Sequence, residues 1–137
     1  MSWDVLLMRF PEDAVSVDDL SDDDPPPPIG PAAEVLHRIR TAFPETNLSD
    51  PTWGILEDRE DGWSMELGIG SEDPVQSIML HIRGGGDPVT PLRRMARLLD
   101  CRALDCSDGE FFSDEGGGES WEEFQAYRDQ VIGRTGD

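Results

Sequence analysis

The sequence predicts an α+β domain, a mostly antiparallel five-stranded sheet with about three helices, in the order β-α-β-β-β-α-β-α. Three observations carry this. Residues 63–69 alternate apolar and polar, with Trp63, Met65, Leu67 and Ile69 set against Ser64, Glu66 and Gly68, the period of a half-buried strand. Residues 32–43 and 88–99 repeat apolar side chains at helical spacing instead. Between residues 53 and 83 the apolar runs are parted only by short turns, which fits a meander of three antiparallel strands.

The elements follow in order. Trp3 to Phe10 (WDVLLMRF) is nearly unbroken apolar sequence and reads as a central strand buried on both faces. Residues 11–31 hold Glu12, Asp13, Asp18, Asp19, Asp22, Asp23, Asp24 and the run Pro25 to Pro28. Consecutive prolines join neither a helix nor an inner strand, so this is expected to be a long, exposed, acidic loop. A helix is predicted over Ala32 to Phe43, started by Pro31 and ended by Pro44, with Val35, Leu36, Ile39 and Phe43 on its inner stripe. Strands are expected at Trp53–Asp58, Trp63–Ile69 and Val75–Arg83. In the last, Ile78, Leu80 and Ile82 share one face and Met79, His81 and Arg83 the other.

Gly84-Gly85-Gly86 reads as a flexible connection into the second helix. Asp87 is its N-cap, and Val89, Leu92, Met95, Ala96 and Leu99 face inward. A fifth strand is predicted at Arg102–Ser107, with Glu110 to Phe112 extending the edge. Gly116 to Gly118 reads as a hinge, and Ser120 with Glu123 as a capping box for a last helix. Residues 133–137 are expected to be a flexible tail. The whole of 1–137 is read as one domain, the size expected for a single core.

The composition limits what such a domain can do. Among 137 residues the net charge is −19, and all eleven basic residues are arginine. A surface so negative repels phosphate, so direct nucleic-acid binding is not expected. The same field attracts basic proteins and speeds their encounter. Arginine without lysine also fits the codon bias of a GC-rich bacterial genome. The acidity then has an alternative reading, as host adaptation of a structural or regulatory domain. No apolar run reaches the roughly 18 residues of a membrane span. The N-terminus MSWDVLLMRF lacks the basic region of a signal peptide, which predicts a cytoplasmic protein without membrane contact.

Few residues point to chemistry. Cys101 and Cys106 stand at C-x4-C spacing with no companion pair, too few for a zinc site or a disulfide framework, and read as two buried thiols. The glycine loop lacks the spacing of a nucleotide-binding motif, and the acid run 18–24 lacks that of a calcium loop. His81 reads as a partly buried structural residue. An alternative reading is a small hydrolase that uses His81 with Asp105 or Cys106. No catalytic residue, metal or cofactor is expected. Of four tryptophans, Trp63 reads as core, while Trp53 and Trp121 stand near segment ends where a ring is partly exposed.

The segments MSWDVLLMRFPED, MLHIRGGGD and RALDCSDGEFF resemble small acidic bacterial proteins of unknown function. Some of these sit among the immunity-like genes of polymorphic toxin systems. The resemblance implies a comparable α+β fold and a role in neutralising a toxin, and it brings no functional residues with it. Together with the charge, it leads to an expected acidic binding module. That module would be an immunity protein or inhibitor for a basic partner such as a nuclease toxin. The expected interface is Asp22, Asp23, Asp24, Trp53, Glu57, Asp58, Glu60 and Asp61.

Overall fold

The N-terminal strand lies in the middle of the sheet, and this placement organises the rest of the chain. In the computed structural model, which describes residues 2–14, 19, 26–107, 109–112 and 121–126, the strands are β1 (Trp3–Met8), β2 (Trp53–Asp58), β3 (Trp63–Gly68), β4 (Ile78–Gly84), β5 (Arg102–Asp105) and β6 (Glu110–Phe111). They stand in the order β2-β3-β4-β1-β5-β6, and each neighbouring pair is antiparallel. With α1 (Ala32–Ala42), α2 (Val89–Leu98) and the helical residues 121–126 they form an α+β domain. Among the described residues no helix is long and apolar enough to cross a membrane.

The sheet has six strands where the sequence predicts five. After β5 the chain turns through Gly109, whose N–H donates to the Asp105 carbonyl at 2.8 Å, and Glu110 and Phe111 return to pair with Asp105 and Leu104. Glu110 to Phe112, expected to extend the edge, thus do so as a strand of their own at Glu110–Phe111, too short for any periodicity to mark it as one. β4 starts at Ile78 rather than Val75, because Val75 pairs alone with Gly30 across a loop. The expected hinge 116–118, the Ser120 cap and the tail 133–137 lie outside the described residues.

β1 is central, bonded to β4 and β5, but it is buried on one face only. Trp3, Val5 and Leu7 are buried while Asp4, Leu6 and Met8 are half-exposed. The buried set continues through Met65 and Leu67 on β3 and through Ile78, Leu80 and Ile82 on β4. Val35 and Ile39 of α1 and Leu92 and Met95 of α2 close over it. Each such side chain, wholly withdrawn from water, contributes about 1.5–3 kcal/mol. Trp121 seals one end, its ring 5.3 Å from Trp3 and its indole N–H donated to the Gly86 carbonyl at 3.1 Å.

Among the described residues the opposite face lacks a helical layer. At its β5–β6 end residues 10–14 fold over it. Phe10 packs edge-on to Phe111 at 5.1 Å, and the Arg102 guanidinium, 4.1 Å over the Phe111 ring, donates to the carbonyls of Pro11 and Ala14. Phe10, Ala14 and Leu104 are buried there, outside the main core. The acidic loop is thus anchored at its start, and again at its end, where Ile29 is buried and Gln76 donates to the Pro26 carbonyl at 2.9 Å. Over β1 to β4 no described helix or strand covers this face, and every residue it presents is half-buried or exposed.

Candidate functional site

Two surfaces bring together the residues that the sequence singles out. The first is a cleft beside the β2–β3 turn. Asp58 shapes that turn, its carboxylate accepting the N–H groups of Glu60 at 3.1 Å and Asp61 at 3.0 Å, an Asx turn that any Asp at this position favours. The turn then docks on the loop after β4. Gly85 N–H donates to the Gly62 carbonyl at 2.9 Å, and Asp87 N–H donates to the Asp61 carboxylate at 2.7 Å.

This docking explains Gly84 and Gly86, and it corrects their reading as a flexible connection. Both have positive φ, +96° and +66°, and a Cβ would fall 2.1 Å from the Gly62 carbonyl oxygen at Gly84 and 2.4 Å from that of Asp61 at Gly86. Glycine is required here for close approach of two backbones. Asp87 caps α2 as its sequence position implies. Its carboxylate accepts from the N–H groups of Val89 and Thr90 and from the Thr90 hydroxyl, at 3.1, 3.3 and 2.6 Å.

Between the turn, the end of α1 and the start of α2 lies a cavity of about 580 Å³. Glu45, Glu57, Asp58, Glu60, Asp61 and Asp87 line it. Phe43, Trp63 and Pro91 supply apolar walls, and its two basic residues are Arg59 and Arg94. The Arg94 guanidinium stands 4.9 Å over the Phe43 ring. Arg59 reaches no closer than 3.9 Å to Glu57 and is almost wholly exposed, a pair of little energetic weight. Among the described residues no group of three or more His, Cys, Asp or Glu is arranged to hold a metal ion.

The second surface is the open sheet face. Its central register row runs Trp53, Gly68, Met79, Leu6 across four strands. The next row runs Ile55, Glu66, His81, Asp4. Trp53 is the one large hydrophobic side chain exposed among the described residues, at 39%. Its ring lies across β3 and stacks on His81 of β4, centroids 5.5 Å apart and planes 21° from parallel. The crossing point is Gly68, where a Cβ would stand 3.4 Å from the indole. His81 is fixed in turn by Asp4, with Nδ1 at 2.8 Å from a carboxylate oxygen that also accepts from the Ser2 hydroxyl at 2.6 Å. Alongside, Arg83 pairs with Glu66 at 2.9 Å.

This arrangement separates His81 from Asp105, one of the two partners considered for a hydrolase, while Cys106 stands opposite Asp4 on the far side of β1. β1 stands between β4 and β5, so His81 meets Asp4 of β1. Asp105 faces the helical side and is buried there, accepting from the Trp3 indole at 3.3 Å and from the Ser107 N–H and hydroxyl at 2.9 and 2.6 Å. Neither cysteine is fully buried, contrary to expectation. Cys101 is partly exposed, and Cys106, just past the end of β5, is exposed. Both thiols are held protonated. Burial pushes Cys101 up to about 11, and Cys106 is raised by burial and then by the carboxylates of Asp4 and Asp105. A thiolate nucleophile is disfavoured at both.

Of the residues expected at an interface, Glu57, Asp58, Glu60 and Asp61 come together at the cleft, Trp53 lies on the open face, and Asp22, Asp23 and Asp24 lie outside the described residues. Glu57 belongs to both surfaces, since it shares the outward face of β2 with Trp53 and lines the cleft. Sequence reasoning misses Glu45 and Asp87 at the cleft and Asp4, Glu66 and Gly68 on the sheet, because only the strand order and the docking of the turn bring them there. No protein-family model matches the chain, and no curated protein or solved structure is significantly similar to it.

Proposed function

We propose that the chain is an acidic protein-binding module that holds a basic partner, in the manner of an immunity protein or inhibitor, with the hairpin cleft receiving a lysine or arginine side chain. The observation that carries this is the gathering of six carboxylates around one cavity against two guanidinium groups. A concave acidic wall focuses potential more strongly than the same charges spread over a convex surface. The aromatic walls suit the planar face of a guanidinium, and carboxylates grip its edge in pairs. A nuclease toxin is the partner class that fits best, because a cleft built to attract phosphate presents the complementary charge.

The test is affinity purification from the producing cells at low salt, using the natural chain and a Glu45→Gln, Glu57→Gln, Glu60→Gln variant. The expected result is one basic protein retained by the natural chain, lost from the variant and released by salt. Retention of the same proteins by both chains, or retention of no basic protein, overturns the proposal.

A further inference from the structure

The open face of β1 to β4 carries a second feature that the cleft does not explain. Its apolar row, Trp53, Met79 and Leu6, is overlaid by no helix or strand among the described residues, and its most exposed member is stacked in place. Trp53 crosses β3 over Gly68 and stacks on His81, itself held by Asp4. An aromatic side chain fixed before contact has already lost the rotamer entropy that binding would otherwise cost. Such rings, ringed by polar groups, are the residues on which interface energy concentrates.

The surrounding charge states what kind of surface fits. Asp4 and Glu57 border the row, beside Glu66 and Arg83, which pair with each other. A second copy of a chain bearing −19 would bring like charge to like. A basic surface with an apolar side chain at its centre meets both features. Trp53 and Glu57 share the outward face of β2 four residues apart, roughly 13 Å along the strand. One partner can therefore span both places.

Resting on the reading of the cleft given above, we infer that the partner is not merely basic. The open face around Trp53 is the docking surface for a large apolar side chain of that same partner, seated against Trp53, Met79 and Leu6 while flanking basic residues meet Asp4 and Glu57. Charge at the cleft brings the partner in, and the apolar contact on the sheet selects which basic protein stays.

Two synthetic peptides of equal charge test this by NMR titration of the whole chain at low salt. One is Arg-Ser-Leu-Ser-Arg-Ser-Leu-Ser-Arg, which in extended form shows Arg and Leu on one face, and the other replaces both Leu by Ser. The expected result is that the Leu peptide binds about tenfold more tightly, with shifts at His81 and Met79. Trp53→Ala and Gly68→Val, each shown to be folded by circular dichroism, should both abolish that difference and leave binding of the Ser peptide unchanged. Equal affinities for the two peptides, or a preference that survives Trp53→Ala, overturns the inference and leaves the cleft reading standing. If neither peptide binds, both fall. Sedimentation should find a monomer, whereas a dimer that Trp53→Ala dissolves overturns the inference by giving this face to a second copy.

Discussion

Trp53 stacks on His81 although their strands are not neighbours. β3 lies between them, and it presents Gly68 where the indole crosses. An added Cβ there would meet the ring at 3.4 Å and the Met79 carbonyl oxygen at 3.3 Å. The residue without a side chain thus lies where the indole crosses, and His81 receives a ring from one side and a carboxylate from the other.

Gly68→Val should lift Trp53 off His81. The expected cost is about 1 kcal/mol, the scale of one aromatic contact, read from urea unfolding. The His81 ring protons should move downfield as the indole ring current is lost. Unchanged His81 shifts would show that the stack does not depend on the glycine.

Gly84→Ala and Gly70→Ala separate close approach from backbone conformation. Both glycines have positive φ, +96° and +82°, but a Cβ at Gly70 meets nothing within 4 Å, while at Gly84 it lies 2.1 Å from the Gly62 carbonyl oxygen. Gly70→Ala should cost about 1–2 kcal/mol, the left-handed penalty alone. Gly84→Ala should cost at least about 4 kcal/mol, in the range reserved for a clash that the backbone must move to relieve. Equal losses in chemical denaturation would count against the docked turn.

Asp105→Asn should destabilise the fold by about 2 kcal/mol, because a buried carboxylate accepting several hydrogen bonds is replaced by a group that must turn one donor toward other donors. The partners affected are the Trp3 indole and Ser107. Thermal unfolding of the variant checks this, and a change in Trp3 fluorescence should accompany it.

Cys101 gives a pH dependence. Its ordinary value of 9.0 is pushed up to about 11 in the fold by burial, so the native state holds the thiol proton more tightly than the unfolded chain. The stability this contributes is fully present below pH 9 and is lost as pH rises through about 11. Unfolding free energy should therefore fall between pH 9 and 11 in the natural chain and fall less in Cys101→Ala. At pH 8 a thiol reagent should modify exposed Cys106 before Cys101.

Local pattern carries most of the secondary structure. The alternation from Trp63 onward, the helical stripe of Leu92, Met95 and Leu99, and the Asp87 cap all appear in the structure as their sequence implies. What local pattern does not carry is which strands become neighbours. Asp4 and His81 are 77 positions apart and meet only because β1 inserts between β4 and β5. An apolar N-terminal strand announces its burial but not its partners. For the same reason Asp105, three residues after Arg102, faces away from the histidine it was set beside. The clustering of Glu57, Asp58, Glu60 and Asp61 was legible because one tight turn holds all four. Glu45 and Asp87 joined them by tertiary docking, which leaves no periodic trace.

The contact between Asp61 and the Asp87 N–H has a further consequence. It fastens the β2–β3 turn to the start of α2, so the carboxylates that the two elements bring to the cleft are held at a fixed separation. On the reading proposed above, a cation arriving there would find its partners already gathered, with little rearrangement to make.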